Sequence, residues 1–302
     1  MSIGEESPVL VFDVGGSHVS AAVCEGGDFH LGPVFSAPHP VDETSDSFVT
    51  LLHTLGVKAA AGFKAVAGAA LAVPGPFDLK AGVSLMHHKL PYLYGVDLRA
   101  ALSGQFGWDP GQVRFMNDAD AYLMGEIGAG AARGFARAVG ITLGTGVGSA
   151  FAVNGQLVGD GPGVPNGGEI WNIPFQGGIV EDFVSTRAIT GDYERRTGST
   201  SEVAALAARA KNDPVAQETF NEFGANLGRA LATILSGFAP DVVVLGGGIS
   251  RSAELFLPAV QPQLNGLHFQ LRIAELQDRA PLVGCGVAWA SLESDSVPSS
   301  LA

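Results

Sequence analysis

The sequence has almost no cysteine: Cys24 and Cys285 are the two thiols among 302 residues. Two thiols cannot build a disulfide framework, and each sits among apolar neighbours, where a buried side chain is expected. A reducing, cytoplasmic setting fits such usage. Cations are scarce too. Lys and Arg number 17 against 30 Asp and Glu, for a formal net charge of −13, and no basic run occurs. That balance argues against nucleic acid as a partner, because contact with a phosphate backbone leaves a basic footprint. No uncharged apolar stretch reaches the roughly 20 residues needed to cross a bilayer, so no membrane contact is expected. The start, Met1-Ser2-Ile3-Gly4-Glu5-Glu6, is acidic and lacks the basic and apolar regions of a signal peptide. No Lys-Ser or Lys-Thr follows a glycine cluster at Walker spacing, which excludes a P-loop.

What the chain does have is apolar residues and glycine. Hydrophobic residues make up 46% and charged ones 16%, and the 42 glycines cluster where apolar runs end. This distribution predicts tight turns between strands and helices in two lobes of roughly 100–200 residues. Val9-Leu10-Val11-Phe12 runs into Asp13 and the turn Gly15-Gly16, and an extended pattern resumes from Val19 to Cys24. The spacing then predicts a helix over 45–63, a strand over 65–73 and a loop at Pro74-Gly75-Pro76. A helix over 118–131 has Asp118 as its expected cap. A long helix is expected over 214–238, followed by a strand over 241–245 and a third glycine turn, Gly246-Gly247-Gly248. Alternating strands and helices indicate an α/β fold.

The first hairpin recurs. Displacing one segment by 129 positions pairs Gly15 with Gly144, Ser20 with Ser149, Ala21 with Ala150 and Gly26 with Gly155. We read this as a duplicated strand–turn–strand unit, one copy per lobe. Glycine turns after strands let several backbone N–H groups converge on a phosphate. A carboxylate beside them, such as Asp13, can hold magnesium directly or through water. The segment 157–178, rich in Gly, Pro and Asn, is long enough to be a structured functional loop.

Five segments carry a more specific resemblance. They are Asp13-Val14-Gly15-Gly16-Ser17, Pro74-Gly75-Pro76, Asn117-Asp118-Ala119-Asp120-Ala121, Leu143-Gly144-Thr145-Gly146-Val147-Gly148 and Gly246-Gly247-Gly248-Ile249. Their order resembles that of the ROK family of repressors and sugar kinases, within the actin-like ATPase superfamily. The resemblance runs from about Val9 to near Trp289. It implies two ribonuclease-H-like lobes around a deep cleft. The smaller lobe is expected over 1–116, with 287–302 packing back on it, and the larger over 117–286. It also implies Mg-ATP and a hexose as ligands, with a homodimer as a further possibility. Asp118 resembles the general base, and Asn117, Glu169, Asn172, Glu181 and Gly75 the sugar-binding set. Asp13, Gly15, Gly16 and Ser17 resemble one phosphate site, Gly144, Thr145 and Gly146 the second, and Gly247 and Gly248 the adenosine pocket. Asp13 is also the expected magnesium ligand.

Departures from the family pattern are equally informative. Gly168-Glu169-Ile170-Trp171-Asn172 keeps the glutamate but has Asn172 where the family carries histidine. The cysteine cluster that binds structural zinc in the family is missing, so no zinc site is expected. Trp171, Ile173 and Phe175 are expected to fill its space as an apolar plug. Lys89 stands where many members have asparagine; contact with a sugar hydroxyl and pairing with a carboxylate are its two candidate roles, and the pairing is the one expected. His87 and His88 lack the Cys or carboxylate neighbours of a metal site. The resulting expectation is an ATP-dependent hexose kinase acting at the 6-hydroxyl, as in glucokinases. Fructose, mannose or an N-acetylhexosamine are alternative acceptors. A sugar-binding protein without efficient catalysis is the second reading. A sugar-sensing repressor is the third; it is disfavoured because only about eight residues precede the first strand.

Overall fold

The apolar runs that end in glycine form the central strands of two sheets. The computed structural model describes residues 7–40, 42–264 and 266–294; the acidic N-terminal hexapeptide lies outside them. Packing divides the chain into two units, Met1–Gly130 with Asp278–Ala302, and Ala131–Gln277.

The first unit begins with strands β1 (Val9–Val14), β2 (His18–Glu25), β3 (His30–Leu31) and β4 (Phe35–Pro38), then helix α1 (Ser45–Ala60). Strands β5 (Ala69–Val73), β6 (Phe77–Asp78) and β7 (Val83–Ser84) follow, then α2 (Leu98–Phe106), β8 (Val113–Asn117) and α3 (Asp118–Ala129). The second unit opens with β9 (Arg137–Leu143), β10 (Val147–Val153) and β11 (Gln156–Leu157), and continues through β12 (Pro174–Phe175) and β13 (Gly178–Ile179). Helices α4 (Val180–Phe183), α5 (Thr186–Thr197), α6 (Val203–Arg209) and α7 (Pro214–Leu235) come next. Then follow β14 (Val242–Gly246), α8 (Ala253–Val260) and β15 (Gln270–Ile273). The chain returns to the first unit in α9 (Ala280–Ser294).

Both sheets have one strand order: β3-β2-β1-β5-β8 in the first unit and β11-β10-β9-β14-β15 in the second. In each, an antiparallel hairpin is extended on its far side by two parallel strands. The repeat read from Gly15 and Gly144 is thus also a repeat of topology, and the α/β class is the one expected.

Strand β1 is buried almost throughout, as a central strand must be. Leu10, Phe12 and Val14 pack with Phe48 and Leu52 of α1 and with Leu71 and Val113 of the neighbouring strands. In the second unit Val139, Ile141 and Leu245 pack against Phe220, Phe223 and Leu227 of α7. Helix α1 ends at Ala60 and α7 at Leu235, each three residues before the expected end, and β5 starts at Ala69 rather than 65.

The unit boundary also differs from expectation. It falls after Gly130 and Gln277, not at 116 and 286, because α3 lies against α9. The two helices meet backbone to backbone: a Cβ at Gly125 would overlap the main chain of Ala280, and one at Gly284 that of Ala121. Small residues permit that approach, and it joins α3 to the first unit.

Candidate functional site

In the first unit the expected residues gather at the carboxyl ends of the parallel strands, where open α/β sheets place ligands. Asp13, the penultimate residue of β1, is in register with Ala72 of β5, and Val73 is in register with Asn117 at the end of β8. Gly75 follows β5; a Cβ there would stand 3.8 Å from Asn117 Nδ2. The helix cap is Asn117, not Asp118. Asn117 keeps extended backbone, and its Oδ1 accepts the N–H of Ala119 at 2.9 Å. Asp118 is the first helical residue, and its Oδ1 accepts the same N–H at 2.9 Å.

Four carboxyls of this unit are linked electrostatically: Asp13 with Asp118 and Asp278, and Asp120 with Asp118. Burial pushes Asp13 up to about 7, and the charges of Asp118 and Asp278 add to it. Burial likewise raises Asp118, while the ammonium of Lys89 and the Ala119 N–H pull it back. Asp120 is pushed up to about 6 by burial and then by Asp118. A carboxyl raised toward neutrality is suited to accept a proton in a reaction near pH 7. The nearby Gly15-Gly16-Ser17 turn is closed by Gly15 N–H donating to His18 O at 3.0 Å. Gly16 and Ser17 are exposed at its tip.

In the second unit two glycine turns stand together. Gly144 N–H donates to Gly146 O at 3.0 Å and leaves Thr145 exposed between them. Gly247, with φ of 80°, lies against Leu143 so closely that any Cβ would overlap its backbone. Gly248 opens the 3₁₀ turn Gly248–Ser252. Glu181 is found on the first of these turns: its Oε2 accepts the N–H of Val147 at 3.0 Å, and a Cβ at Gly146 would stand 2.6 Å from it. Glu169 and Asn172 line a cavity of about 500 Å³ with Pro165, Ile173 and Thr233. Ser149 of β10 fixes Glu169 from both sides, donating to Gly168 O at 2.6 Å and accepting Ile170 N–H at 3.0 Å.

The ROK family's sequence profile matches residues 9–291. The chain belongs to the ROK family. Its fold is similar to that of a ROK hexokinase from Thermus thermophilus, with TM-score 0.80, 26% identity and coverage of 96% of this chain and 100% of that one. A ROK glucokinase from Streptomyces griseus, in complex with glucose and AMPPNP, matches with TM-score 0.75 and 25% identity over 94% and 98% of the two chains. The N-acetylgalactosamine kinase AgaK of Shewanella sp. (strain ANA-3) is 30% identical over 169 residues. That stretch is 50% of this chain and spans about half, 54%, of the relative.

Within this ROK chain the expected apolar plug is only partly formed. Ile173 and Phe175 pack on the core of the second unit, and Phe175 meets Phe183 edge-on at 5.3 Å. Trp171 stays 39% exposed, because its indole N–H donates to Glu169 Oε2 at 3.0 Å. The count of two cysteines, both buried and free, excludes a cysteine-cluster zinc centre. Among the described residues no three His, Cys, Asp or Glu groups converge as a metal site. Magnesium needs no such cage, since one or two carboxylates, substrate phosphates and water suffice. Asp13, beside a glycine turn and raised to about 7 by burial and then by the charges of Asp118 and Asp278, fits that donor set.

Several residues that shape the site carried no signal in the sequence. His39 holds the first glycine turn: its Nε2 donates to Gly15 O at 2.9 Å, its backbone N–H donates to Ser17 O at 3.1 Å, and Tyr92 Oη bonds its Nδ1 at 3.0 Å. Gln176 and Asn226 do the same for the segment after Glu169. Ser20, whose hydroxyl bonds that of Ser36 at 2.7 Å, and Ser149, whose hydroxyl bonds the backbone of Gly168 and Ile170, were marked only through the repeat.

Proposed function

We propose that this chain transfers the γ-phosphoryl group of ATP to a hexose or N-acetylhexosamine, with Asp118 as general base. The 6-hydroxyl of glucose is the leading acceptor. The observation that carries the reading is Asp118 itself, seated with Asn117 where β8 gives way to α3, partly buried and raised by that burial. Support comes from the hexokinase and glucokinase relatives, and AgaK favours keeping the hexosamines in view.

In this mechanism Asp118 takes the proton of the attacking hydroxyl as the new oxygen–phosphorus bond forms. The bond from the γ-phosphorus to the bridging oxygen breaks, and ADP leaves. Asn117 spends Oδ1 on Ala119, so its Nδ2 is the atom proposed to hold a sugar hydroxyl. Glu169, Asn172 and Glu181 are proposed to bind further hydroxyls, with Gly75 leaving room beside Asn117. The turns at Gly15–Ser17 and Gly144–Gly146 are proposed to offer N–H groups to the phosphates, and Gly247 and Gly248 to border the adenosine. Magnesium, held by Asp13 directly or through water, would neutralise phosphate charge.

A coupled ADP-release assay with glucose, mannose, fructose, N-acetylglucosamine and N-acetylgalactosamine tests the reading. At least one sugar should accelerate ADP release well above the sugar-free rate. Release that no sugar changes would refute it.

A further inference from the structure

The β12–β13 hairpin turns on Gln176 and Gly177, which have positive φ of 49° and 84°. Left-handed backbone suits glycine and, among other residues, asparagine. Asn-Gly is the usual pair in such a two-residue turn. Glutamine brings one methylene more of reach, and the structure uses it. Gln176 Nε2 donates to Asn226 Oδ1 at 2.9 Å, 50 residues further along the chain. Asn226 lies within α7 and is only 6% exposed. It is itself fixed: Oδ1 also accepts from Arg229 at 2.7 Å, and Nδ2 donates to Glu222 at 3.3 Å. The tip of the hairpin is therefore tied to a buried residue of α7.

The legs of the hairpin lead to the residues proposed to bind sugar. Val180 N–H donates to Ile173 O and Glu181 N–H to Trp171 O, both at 3.0 Å, so the ladder runs past the strands themselves. Asn172 on one leg and Glu181 on the other are thereby held in register. Upstream, Ser149 bonds on both sides of Glu169. The segment is thus fastened near its start by Ser149 and at its far tip by Asn226. Displacing the tip would swing both legs, and misplacement of about 1 Å is enough to spoil a binding constellation.

We propose that Gln176 and Asn226 form a positioning clamp that sets sugar affinity, without either side chain touching the sugar. The inference rests on the kinase reading above. Its test compares wild type with Gln176→Gly, which removes the tie while relieving left-handed backbone, and Gln176→Glu, which keeps the length but loses the donor. The readouts are melting temperature, amide hydrogen exchange over residues 170–182, and KM for ATP and for the panel sugar of highest kcat/KM. Gln176→Gly should melt no lower than wild type. Exchange at Val180 and Glu181 should rise roughly tenfold as the ladder loosens. Sugar KM should rise at least about fivefold in both variants, with KM for ATP within about twofold. A merely structural residue would lower the melting temperature and raise both KM values together. Sugar KM within about twofold of wild type in Gln176→Gly overturns the proposal. If wild type phosphorylates no panel sugar, the kinase reading fails by itself. Exchange then judges the clamp alone: faster exchange supports it, and unchanged protection overturns it.

Discussion

Glu181 Oε2 accepts the backbone N–H of Val147 at 3.0 Å, so a carboxylate expected at the sugar stands on the Gly144–Gly146 turn expected to take phosphate. An anion on that turn repels, and competes with, a second anion. Glu181→Gln should therefore bind AMPPNP more tightly without sugar, by about fivefold, or roughly 1 kcal/mol. The same variant should bind sugar more weakly. Isothermal titration measures both; AMPPNP binding no tighter than in wild type would show that the contact does not oppose phosphate.

Lys89 is exposed, and its ammonium pulls the Asp118 carboxyl down against the upward push of burial. No ion pair of Lys89 is formed among the described residues, so its influence on Asp118 is one of charge at a distance. Lys89→Asn should move the acid limb of the kcat/KM profile to higher pH, because a base with less cationic support holds its proton longer. An unmoved limb would separate Lys89 from Asp118.

Asp120 is pushed up to about 6 by burial and by Asp118. Between its unfolded value of about 3.9 and its folded value, the folded chain binds more protons than the unfolded one. Stability therefore falls as pH rises through that window, and the penalty stands in full above it. Asp120→Asn should stabilise the protein by about 1–2 kcal/mol at pH 8, the shift being discounted for partial exposure. At about pH 3, below both values, it should do almost nothing. Urea midpoints at the two pH values measure this, and an equal gain at both would point to packing instead.

The glycine turns, the central strands and the Asn117-Asp118 junction were legible because local chemistry dictates them: glycine ends a strand, and Asx residues open a helix. The helix cap itself was read one residue late, since both side chains reach the same Ala119 N–H. Contacts between distant residues left no local trace. His39 holds Gly15 from 24 positions away, and Gln176 sits in a turn whose backbone favours asparagine. The seam of Gly125 and Gly284, which moves α3 into the first unit, is invisible until α9 returns. Trp171 had an apolar reading, but its indole N–H found Glu169 and kept the ring at the surface.

The most direct test of the account is turnover by Asp118→Asn. Asparagine retains an oxygen for the Ala119 N–H, so the start of α3 should survive, but it cannot take the hydroxyl proton. The account predicts a fall in kcat of about 10²–10⁴, with sugar and AMPPNP dissociation constants within about threefold of wild type. A variant that keeps half its turnover would contradict it and remove Asp118 from the chemistry.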